Sequence, residues 1–526
     1  MEVLINQVGF DLGAPKFVMV QANDDLGGAP GRLQVVDERG VLRHEAELEY
    51  AGTIRHWGRH YWRGDFSAFD DEGAYELRLR VGAGETSHHH AVIGPRLIAR
   101  ETLAAAAGFY YYQRCGTEVP GWHGPCHLDD ARLPDGTRID AVGGWHDAGD
   151  YNKYNGYTPL AVFALACAAR HPLLQPWPLA EVPPPDEEAA WGAQWMAKMQ
   201  DPGTGFLRGD VFAGYRWWGP PEGETDNQPG NDDDRPVRGQ PSARHRAGSA
   251  LLAFAELGAL RHEAQWLECA RRLAAAVADA ELTVAELAAA ALGYVGLPQA
   301  DPHRERTEAA VRQVLDCQRA DGGFHDPQIV DAGFVPAALA AFALRAPATA
   351  LAERIESALL RYLDFSDARS RNPFRLLQWD EANFFYPYPE PKAWYVGHNS
   401  AYLSQAWALL LAAKFLAARN VVAANMGAAR ARALAQSQLD WVLGCNPFGV
   451  CMLEGAGQFN PPRYHHRYDA IPGHPRGAVP GALCNGIVRE SVDRDAPRFD
   501  LHGNDYHSNE PWLPHNAYYL LAVGET

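Results

Sequence analysis

Twelve segments with helical character most constrain the fold of the chain after residue 95. There the composition changes abruptly to Ala and Leu, and apolar residues such as Leu403, Trp407 and Leu411 recur at the spacing of a buried helical face. Helices that follow one another in this way suggest six helical hairpins, so this part of the chain is predicted to be mainly α. The predicted helices span residues 101–114, 158–170, 186–200, 243–261, 264–280, 283–294, 303–319, 331–345, 348–365, 399–417, 420–443 and 515–522.

Four connections between these helices are much longer than simple turns. They span residues 115–157, 201–242, 366–398 and 444–514. Loops longer than about 12–15 residues inside a compact domain usually carry function. We therefore expect these four loops to lie at one end of a helical scaffold and to build a cleft.

The first 95 residues read instead as short strands separated by Gly, Asp and Pro turns. The segment GAYELRLRV alternates, with Tyr75, Leu77 and Leu79 on one face and charged residues on the other. This pattern is typical of a small β-sandwich of about seven strands. We predict two domains, a β-sandwich at residues 1–95 and a helical domain at residues 96–526.

The charge of the chain excludes some classes of partner. Its 526 residues carry a formal net charge of −18, which argues against nucleic acid and against anionic membranes. We find no run of about 18 uninterrupted apolar residues and no basic start followed by an apolar core. We therefore expect no membrane span and a cytoplasmic protein as the chain is written, or a secreted one if a signal peptide has been removed. The oligomeric state stays open.

The segment Gly143–Tyr154, GGWHDAGDYNKY, is the strongest candidate for chemistry. Asp147 and Asp150 are separated only by Ala148 and Gly149. Glycines permit a tight turn that brings both carboxylates into one small space, where like charges raise a pKa. The alternative is a turn whose Asp side chains cap the following helix, because two Asp at this spacing are a weak signal on their own.

A second candidate carboxyl group is Glu510, in the segment Asn504–Asn516, NDYHSNEPWLPHN. An isolated Glu among aromatic residues and prolines has a raised pKa and can serve as a general acid. The alternative is a Glu that interacts with the first turn of the last helix. One carboxylic acid and one carboxylate on opposite sides of a bond form the arrangement of glycoside hydrolysis.

Two further groups could support such a site. Cys115, Cys126, His127 and His146 are ligand types that Zn²⁺ binds in a closed, structural tetrahedron. Their spacing is not that of a zinc finger, so two structural thiols and two surface histidines are the alternative. The segment Asn460–Arg467, NPPRYHHR, can donate hydrogen bonds to sugar hydroxyls, or it is a solvated basic turn.

Four motifs, in this order, resemble glycoside hydrolase family 9, the inverting cellulases and their relatives. INQVGF is similar to the opening strand of the immunoglobulin-like domain that precedes many members. GGWHDAGDYNKY resembles the catalytic Asp signature of the family, and WVLGCNPFG followed by PPRYHHR resembles its His/Arg substrate-binding motif. DYHSNEPWLPHNAYYL resembles the C-terminal motif that holds the catalytic acid. The resemblance covers essentially the whole chain.

This resemblance implies a mainly α protein, with an (α/α)6-barrel catalytic domain preceded by a small immunoglobulin-like β-sandwich. It implies that Asp150 is the catalytic base, that Asp147 helps it to hold the nucleophilic water, and that Glu510 is the acid. The residues predicted to contact the substrate are His465, Arg467, Tyr506, Trp394 and Trp512.

The resemblance also bears on metals. It strengthens the zinc hypothesis, because the four ligands match a structural zinc site in members with the immunoglobulin-like domain: Cys115, Cys126, His127 and His146. Some members bind calcium as well. Residues 201–242 are rich in Asp, but the sequence alone assigns no calcium ligands.

The expected function is inverting hydrolysis of β-1,4-glucosidic bonds in cellulose-type glucans or cello-oligosaccharides. Two stretches depart from the family pattern, PGALCNGI at Pro480–Ile487 and the pair Pro511–Trp512. Both border the expected cleft, so an exo-acting β-glucosidase or exo-β-D-glucosaminidase of the same family is the alternative. Outside this class we consider a non-catalytic carbohydrate-binding protein and an (α/α)6 lyase. The three carboxyl groups argue against both.

Overall fold

The structure is a computed structural model that describes residues 1–84, 86–324, 329–386, 396–419 and 422–526. The first part of the chain forms strands, and the remainder forms mainly helices joined by loops. The eighth strand ends at Gly94, and the first helix begins at Leu97.

Eight strands of the N-terminal part form one continuous ladder in the order β1-β3-β6-β5-β4-β7-β8-β2. All neighbours pair antiparallel except β2 and β8, and β1 also lies close to β8, so the ladder folds back around its own core. The alternation predicted for β7 is confirmed, because Tyr75, Leu77 and Leu79 are buried in that core. The strands are β1 (Glu2–Leu4), β2 (Phe10–Asp11), β3 (Phe17–Ala22), β4 (Gly31–Asp37), β5 (Leu42–Thr53), β6 (His60–Asp65), β7 (Gly73–Val81) and β8 (Ser87–Gly94).

The helical part contains twelve long helices among the described residues, and each overlaps a helix predicted from the sequence. A single helical turn, α12, precedes the last of them; the sequence pattern could not reveal it because one turn has no periodicity. The helices are α1 (Leu97–Tyr112), α2 (Thr158–Ala168), α3 (Pro185–Met199), α4 (Ala247–Arg261), α5 (Ala264–Ala276), α6 (Val284–Gly296), α7 (Thr307–Asp316), α8 (Phe334–Arg345), α9 (Ala352–Ala368), α10 (Asn399–Ala418), α11 (Val422–Val442), α12 (Tyr506–Asn509) and α13 (Leu513–Val523).

Six of these helices close into an inner ring. In the order α2, α4, α6, α8, α10 and α13, each packs on the next, and α13 packs on α2 again. The inner helices are apolar on nearly every side, as helices buried all round must be. The outer helices α5, α7 and α9 are amphipathic and bury only one face. The predicted (α/α)6 barrel is confirmed.

The long connections all run from an outer helix to the beginning of an inner helix. Residues 113–157 lead into α2, 200–246 into α4, 369–398 into α10 and 443–512 into α13. Because they enter the inner ring at helix N-termini, these loops meet at one end of the barrel. Four short strands lie within these loops: β9 (Asp210–Val211), β10 (Val237–Arg238), β11 (Val488–Arg489) and β12 (Pro497–Arg498).

Helix α10 is the one described helix that is long and apolar enough to cross a membrane, judged by length and composition alone. Its most apolar 18-residue window is 78% buried inside the protein. This helix belongs to the inner ring, where an apolar surface on every side is expected.

The N-terminal domain rests against helix α11 and the loops that lead into α10 and α13. The Trp57 indole N–H donates to the Asp495 carbonyl at 3.0 Å, and its ring stacks on Phe385 with 5.8 Å between centroids. The Asn6 side chain donates to the buried carboxylate of Asp440 at 2.9 Å. These contacts fix one side of the loops that build the cleft.

Candidate active site

We call residues 143–154 the aspartate turn. Hydrogen bonds from buried side chains hold the backbone of this turn in place. The Asp147 N–H donates to the Asn152 carbonyl at 2.9 Å and closes the turn. The Gln113 amide donates to the His146 and Ala148 carbonyls at 3.1 and 2.9 Å. The Lys153 ammonium donates to the Ala141 and Gly143 carbonyls. A turn anchored at both ends presents its two carboxylates in a fixed direction.

Asp147 and Asp150 are both buried. Burial, and to a smaller extent the negative charge of Asp150, holds the pKa of Asp147 well above its usual range. Burial raises the pKa of Asp150 to about 6, although the nearby Arg467 guanidinium lowers it. Asp150 also accepts the Asn152 N–H at 2.8 Å, so its carboxylate helps to form the turn.

Gly149 is the point at which three distant motifs meet. Its N–H donates to Glu510 Oε1 at 3.2 Å, and its carbonyl accepts the Arg467 N–H at 3.0 Å. A Cβ at this position would lie 1.9 Å from the His465 carbonyl oxygen. Only glycine permits the aspartate turn to lie this close to the His/Arg segment.

Glu510 lies between α12 and α13, with its backbone tied to Asn485 at 2.8 Å. Its carboxyl group accepts the Gly149 N–H, and no side-chain cap bonds the start of α13. Burial, followed by the charge of Asp150, raises the pKa of Glu510 well above its usual range. The carboxyl therefore faces the aspartate turn and not the helix end, as its predicted role as an acid requires.

Arg467 and His465 border the carboxyl groups. The Arg467 guanidinium lies between the rings of Tyr151 and Trp218, and its Nε donates to the Trp217 carbonyl at 2.6 Å. His465 Nδ1 donates to the Asn504 carbonyl at 2.8 Å, which leaves Nε2 as an acceptor. Burial lowers the pKa of His465, so the ring is neutral at pH 7.

The structure brings two of the other predicted substrate contacts to this region. The Tyr506 ring, 36% exposed, lies 5.7 Å from His465. The Trp512 indole donates to Asp147 Oδ2 at 2.6 Å. Trp394 lies outside the described residues. The predicted roles of these side chains as sugar contacts stay predictions.

Two exposed aromatic side chains beside the site were not predicted from the sequence. Trp218 is 42% exposed, packs edge-on to His465 at 5.0 Å and donates to Asp469 at 2.7 Å. Tyr215 is 63% exposed, with its hydroxyl 3.1 Å from that of Tyr154. The aromatic run YRWWG could have indicated these side chains. The sequence could not show that this run lies against the segment that contains Asp469, 251 positions away.

The predicted metal ligands form one buried cluster. Their ligand atoms lie within 4.8 Å of one another, with Cys115 Sγ 3.5 Å from His127 Nδ1 and Cys126 Sγ 3.7 Å from His146 Nε2. The alternative of two surface histidines is wrong, because both rings are fully buried. These four side chains could hold a metal ion.

The surroundings of the cluster fit a bound cation. His127 Nε2 donates to Glu224 at 2.9 Å, which turns the Nδ1 lone pair towards the cluster. Arg235 forms two bonds with Asp130, donates to the Tyr151 carbonyl at 2.6 Å and lies 3.6 Å from Cys115 Sγ. The cluster is therefore tied directly to the aspartate turn.

A second group of ligand types lies nearby. The carboxylates of Asp129, Asp233 and Asp234 lie within 4.8 Å of one another. Asp129 and Asp234 are buried, and one oxygen of each, Oδ2 and Oδ1 respectively, has no hydrogen-bond partner among the described residues. Carboxylate oxygens in this state fit a hard cation.

The fold and the site together define a class of protein: an (α/α)6 barrel that carries facing carboxyl groups at the loop end of its inner ring. The chain belongs to glycosyl hydrolase family 9, whose family model matches residues 100–291 and 333–523. The cellulase N-terminal ig-like domain matches residues 1–83. The immunoglobulin-like domain and the family resemblance are thereby confirmed.

Curated relatives match over part of their length. A cellodextrinase from Butyrivibrio fibrisolvens is 33% identical over 179 residues, which cover 32% of this chain and 30% of that protein. Endoglucanase D from Acetivibrio thermocellus is 32% identical over 217 residues, which cover 36% and 34%. The matched region thus spans about a third of the length of these curated relatives.

Solved structures match over the whole length. An endoglucanase from Alicyclobacillus acidocaldarius has a TM-score of 0.75 at 23% identity, with 99% of each chain covered. A Bacteroides ovatus GH9 protein has a TM-score of 0.74 at 19% identity and covers 99% of this chain and 98% of its own. At these identities the likeness establishes the shared fold.

Proposed function

We propose that this protein is an inverting glycoside hydrolase that cleaves β-1,4-glucosidic bonds in cellulose-type glucans or cello-oligosaccharides. The observation that carries the proposal is the convergence at Gly149. There a carboxyl group with a strongly raised pKa, Glu510, meets the aspartate turn and the His/Arg segment. The names of the cellodextrinase and endoglucanase relatives support this class of substrate.

The environments of the carboxyl groups assign their roles. Burial and the charges of Asp150 and Asp147 raise the pKa of Glu510, which favours the protonated form that can donate to the leaving oxygen. Asp150 is a carboxylate at neutral pH, with a pKa of about 6, and it takes the proton of the attacking water. The water attacks the anomeric carbon on the face opposite the leaving group, and the configuration inverts.

The remaining groups orient these partners. Asp147 offers its Oδ1 to the same water, since its Oδ2 already accepts the Trp512 N–H. Arg467 places a fixed positive charge near Asp150 and Glu510, which lowers the pKa of both. His465 presents its Nε2 to a sugar hydroxyl, and the exposed ring of Trp218 provides an apolar face for a sugar ring.

We expect a bell-shaped dependence of kcat/KM on pH. On the acid side, activity falls as pH drops below about 6, because Asp150 then takes up a proton and can no longer act as the base. On the alkaline side, activity falls as Glu510 loses its proton. Initial rates on cellopentaose across pH 4–10 measure both limbs, with the melting temperature at each pH as the control for unfolding. Undiminished kcat/KM at pH 4 would remove Asp150 from the role of base.

An exo-acting enzyme is the second candidate. It is favoured by the position of Trp512, a large side chain directly beside Asp147 where the sequence departs from the family pattern. An exo-β-glucosidase releases glucose from cellopentaose, and an exo-β-D-glucosaminidase releases glucosamine from chitosan oligosaccharides. Mixed short products from cellopentaose support internal cleavage instead. No hydrolysis of either substrate, with intact folding, would favour a carbohydrate-binding protein.

We also propose that Cys115, Cys126, His127 and His146 hold a structural Zn²⁺. Two thiolates and two imidazoles are a ligand set that zinc binds in four-coordinate structural sites. Bound there, the ion cross-links the loop before the aspartate turn to the turn itself. It supplies folding energy and no step of the hydrolysis.

Removal of this metal is expected to destabilise the protein. A strong chelator, or the variant Cys115→Ser, lowers the melting temperature by several degrees, because four buried ligands lose their common partner. Cys269→Ser, which alters a buried thiol outside the cluster, is the matched control and changes it less. Elemental analysis of freshly purified protein is expected to give one zinc per chain. Absence of zinc would refute this assignment.

For the second group of carboxylates we propose calcium, held by Asp129, Asp233 and Asp234. The two unpartnered buried oxygens support a cation here, and oxygen ligands alone favour calcium over zinc. The same elemental analysis tests this site. We expect calcium in the wild-type protein and less of it in Asp234→Asn, and equal calcium in both would contradict the proposal.

A further inference from the structure

Trp512 contacts Asp147 through its indole N–H and Tyr157 through its ring. Its indole N–H donates to Asp147 Oδ2 at 2.6 Å. Its ring meets the Tyr157 ring edge-on, with 4.7 Å between centroids, and the His515 ring at 5.5 Å. A part-buried indole held between two rings has little freedom to swing, so its N–H points in a fixed direction.

Tyr157 is itself held by a group of residues contributed by the inner-ring helices and the residues just before them. The Arg246 guanidinium lies 5.0 Å from the centre of the Tyr157 ring. Arg246 forms ion pairs with Asp331 Oδ2 at 2.6 Å and with Glu286 Oε1 at 3.3 Å. The Tyr518 hydroxyl donates to the other oxygen of Asp331. We call Arg246, Glu286, Asp331 and Tyr518 the axial cluster.

The axial cluster draws on separate parts of the inner ring. Arg246 precedes α4, Glu286 lies in the first turn of α6, Asp331 precedes α8 and Tyr518 belongs to α13. Glu286 is fixed further by the Ser249 backbone and hydroxyl groups at 3.0 and 2.8 Å. A paired, buried cluster that joins four helices provides a rigid base for Tyr157, and through it for Trp512.

We propose that Trp512 is a positioning residue that fixes the orientation of the Asp147 carboxylate, with the axial cluster as its support. The inference rests on the proposed hydrolysis. The torsion that rotates a carboxylate is soft, so burial alone does not select which oxygen faces the substrate. The indole N–H binds Oδ2 and leaves Oδ1, which is buried and accepts no hydrogen bond among the described residues. Oδ1 is thereby presented to the attacking water.

Two substitutions separate this role from that of a sugar-stacking platform. Trp512→Phe keeps an aromatic ring and removes only the N–H, whereas Trp512→Ala removes both. A positioning role predicts that Trp512→Phe lowers kcat about 10–100-fold on cellopentaose with KM within twofold of wild type, because the water is then poorly aligned. A stacking role predicts that Trp512→Phe is near normal and that Trp512→Ala raises KM, and that result would overturn the proposal.

Trp177→Phe is the matched control. The Trp177 indole is also part-buried and donates to a carbonyl oxygen, that of Val182, at 2.7 Å, but it lies in the loop between α2 and α3. Trp177→Phe is expected to change the melting temperature by about as much as Trp512→Phe does, and to leave kcat unchanged. An equal loss of kcat in both variants would show a general effect of losing an indole hydrogen bond, and would also overturn the proposal.

A measurement without substrate keeps this inference separate from the proposed function. In protein labelled with ¹⁵N-tryptophan, the Trp512 indole signal is the one lost in Trp512→Phe. We expect Asp147→Ala to shift that signal strongly and to leave the Trp177 signal in place. An unshifted signal would overturn the inference whatever the activity. Failure of the wild-type protein to hydrolyse any β-1,4-glucan would instead overturn the proposed function.

Discussion

The substitution Glu510→Gln is expected to lower kcat on cellopentaose by about 10²–10⁴-fold, the usual contribution of a general acid. Gln has the same shape and its amide oxygen can still accept the Gly149 N–H, so the melting temperature should stay near that of wild type. What is lost is the proton for the leaving sugar oxygen. Initial rates and thermal unfolding of the variant, beside Glu263→Gln on the outer surface as a control, measure both effects.

The leaving group supplies a sharper test of the same residue. An aryl cellobioside whose phenol is strongly acidic needs no protonation to depart. Glu510→Gln should therefore hydrolyse this substrate at a rate much closer to that of wild type. An equal loss on both substrates would show that Glu510 acts in some way other than as the acid.

The second large effect is expected from Gly149→Ala. The added methyl carbon would lie 1.9 Å from the His465 carbonyl oxygen, and the backbone on both sides is fixed by hydrogen bonds to Glu510 and Arg467. The aspartate turn must therefore move away from the acid. We expect kcat/KM to fall at least about 100-fold and the melting temperature to fall with it.

Gly156→Ala is the matched control for this prediction. Gly156 lies a few residues further along the same connection, and a Cβ there meets no atom within 4 Å. Its activity and melting temperature should stay close to wild type. Equal behaviour of Gly149→Ala and Gly156→Ala would mean that the close approach at Gly149 does not matter for the site.

The sequence predicted the helices well because each of them repeats a pattern within its own residues. The outer helices α5, α7 and α9 bury one face at regular spacing, and an inner helix such as α10 is apolar along its whole length. The motifs also pointed to Asp147, Asp150 and Glu510, which the structure brings to one place. The short strand β2 and the single turn α12 were beyond prediction, because two and four residues hold no periodic signal.

Contacts between distant segments could not be predicted in the same way. Trp512 was expected at the substrate cleft, and its bond to Asp147 joins residues 365 positions apart. The close contact of Gly149 with His465 and the support of Tyr157 by Arg246 depend equally on how the inner ring closes. The three aspartates of the second candidate metal site come from two loops, which is why the sequence assigned no calcium ligands.

The most direct test of the proposed mechanism is the anomeric form of the first product. Cellopentaose is incubated with the protein, and proton NMR spectra are taken before the new reducing end can mutarotate. Attack by a water on the face opposite Glu510 predicts that the α-anomer appears first. An initial β-anomer would contradict the inverting mechanism and the roles assigned to Asp150 and Glu510.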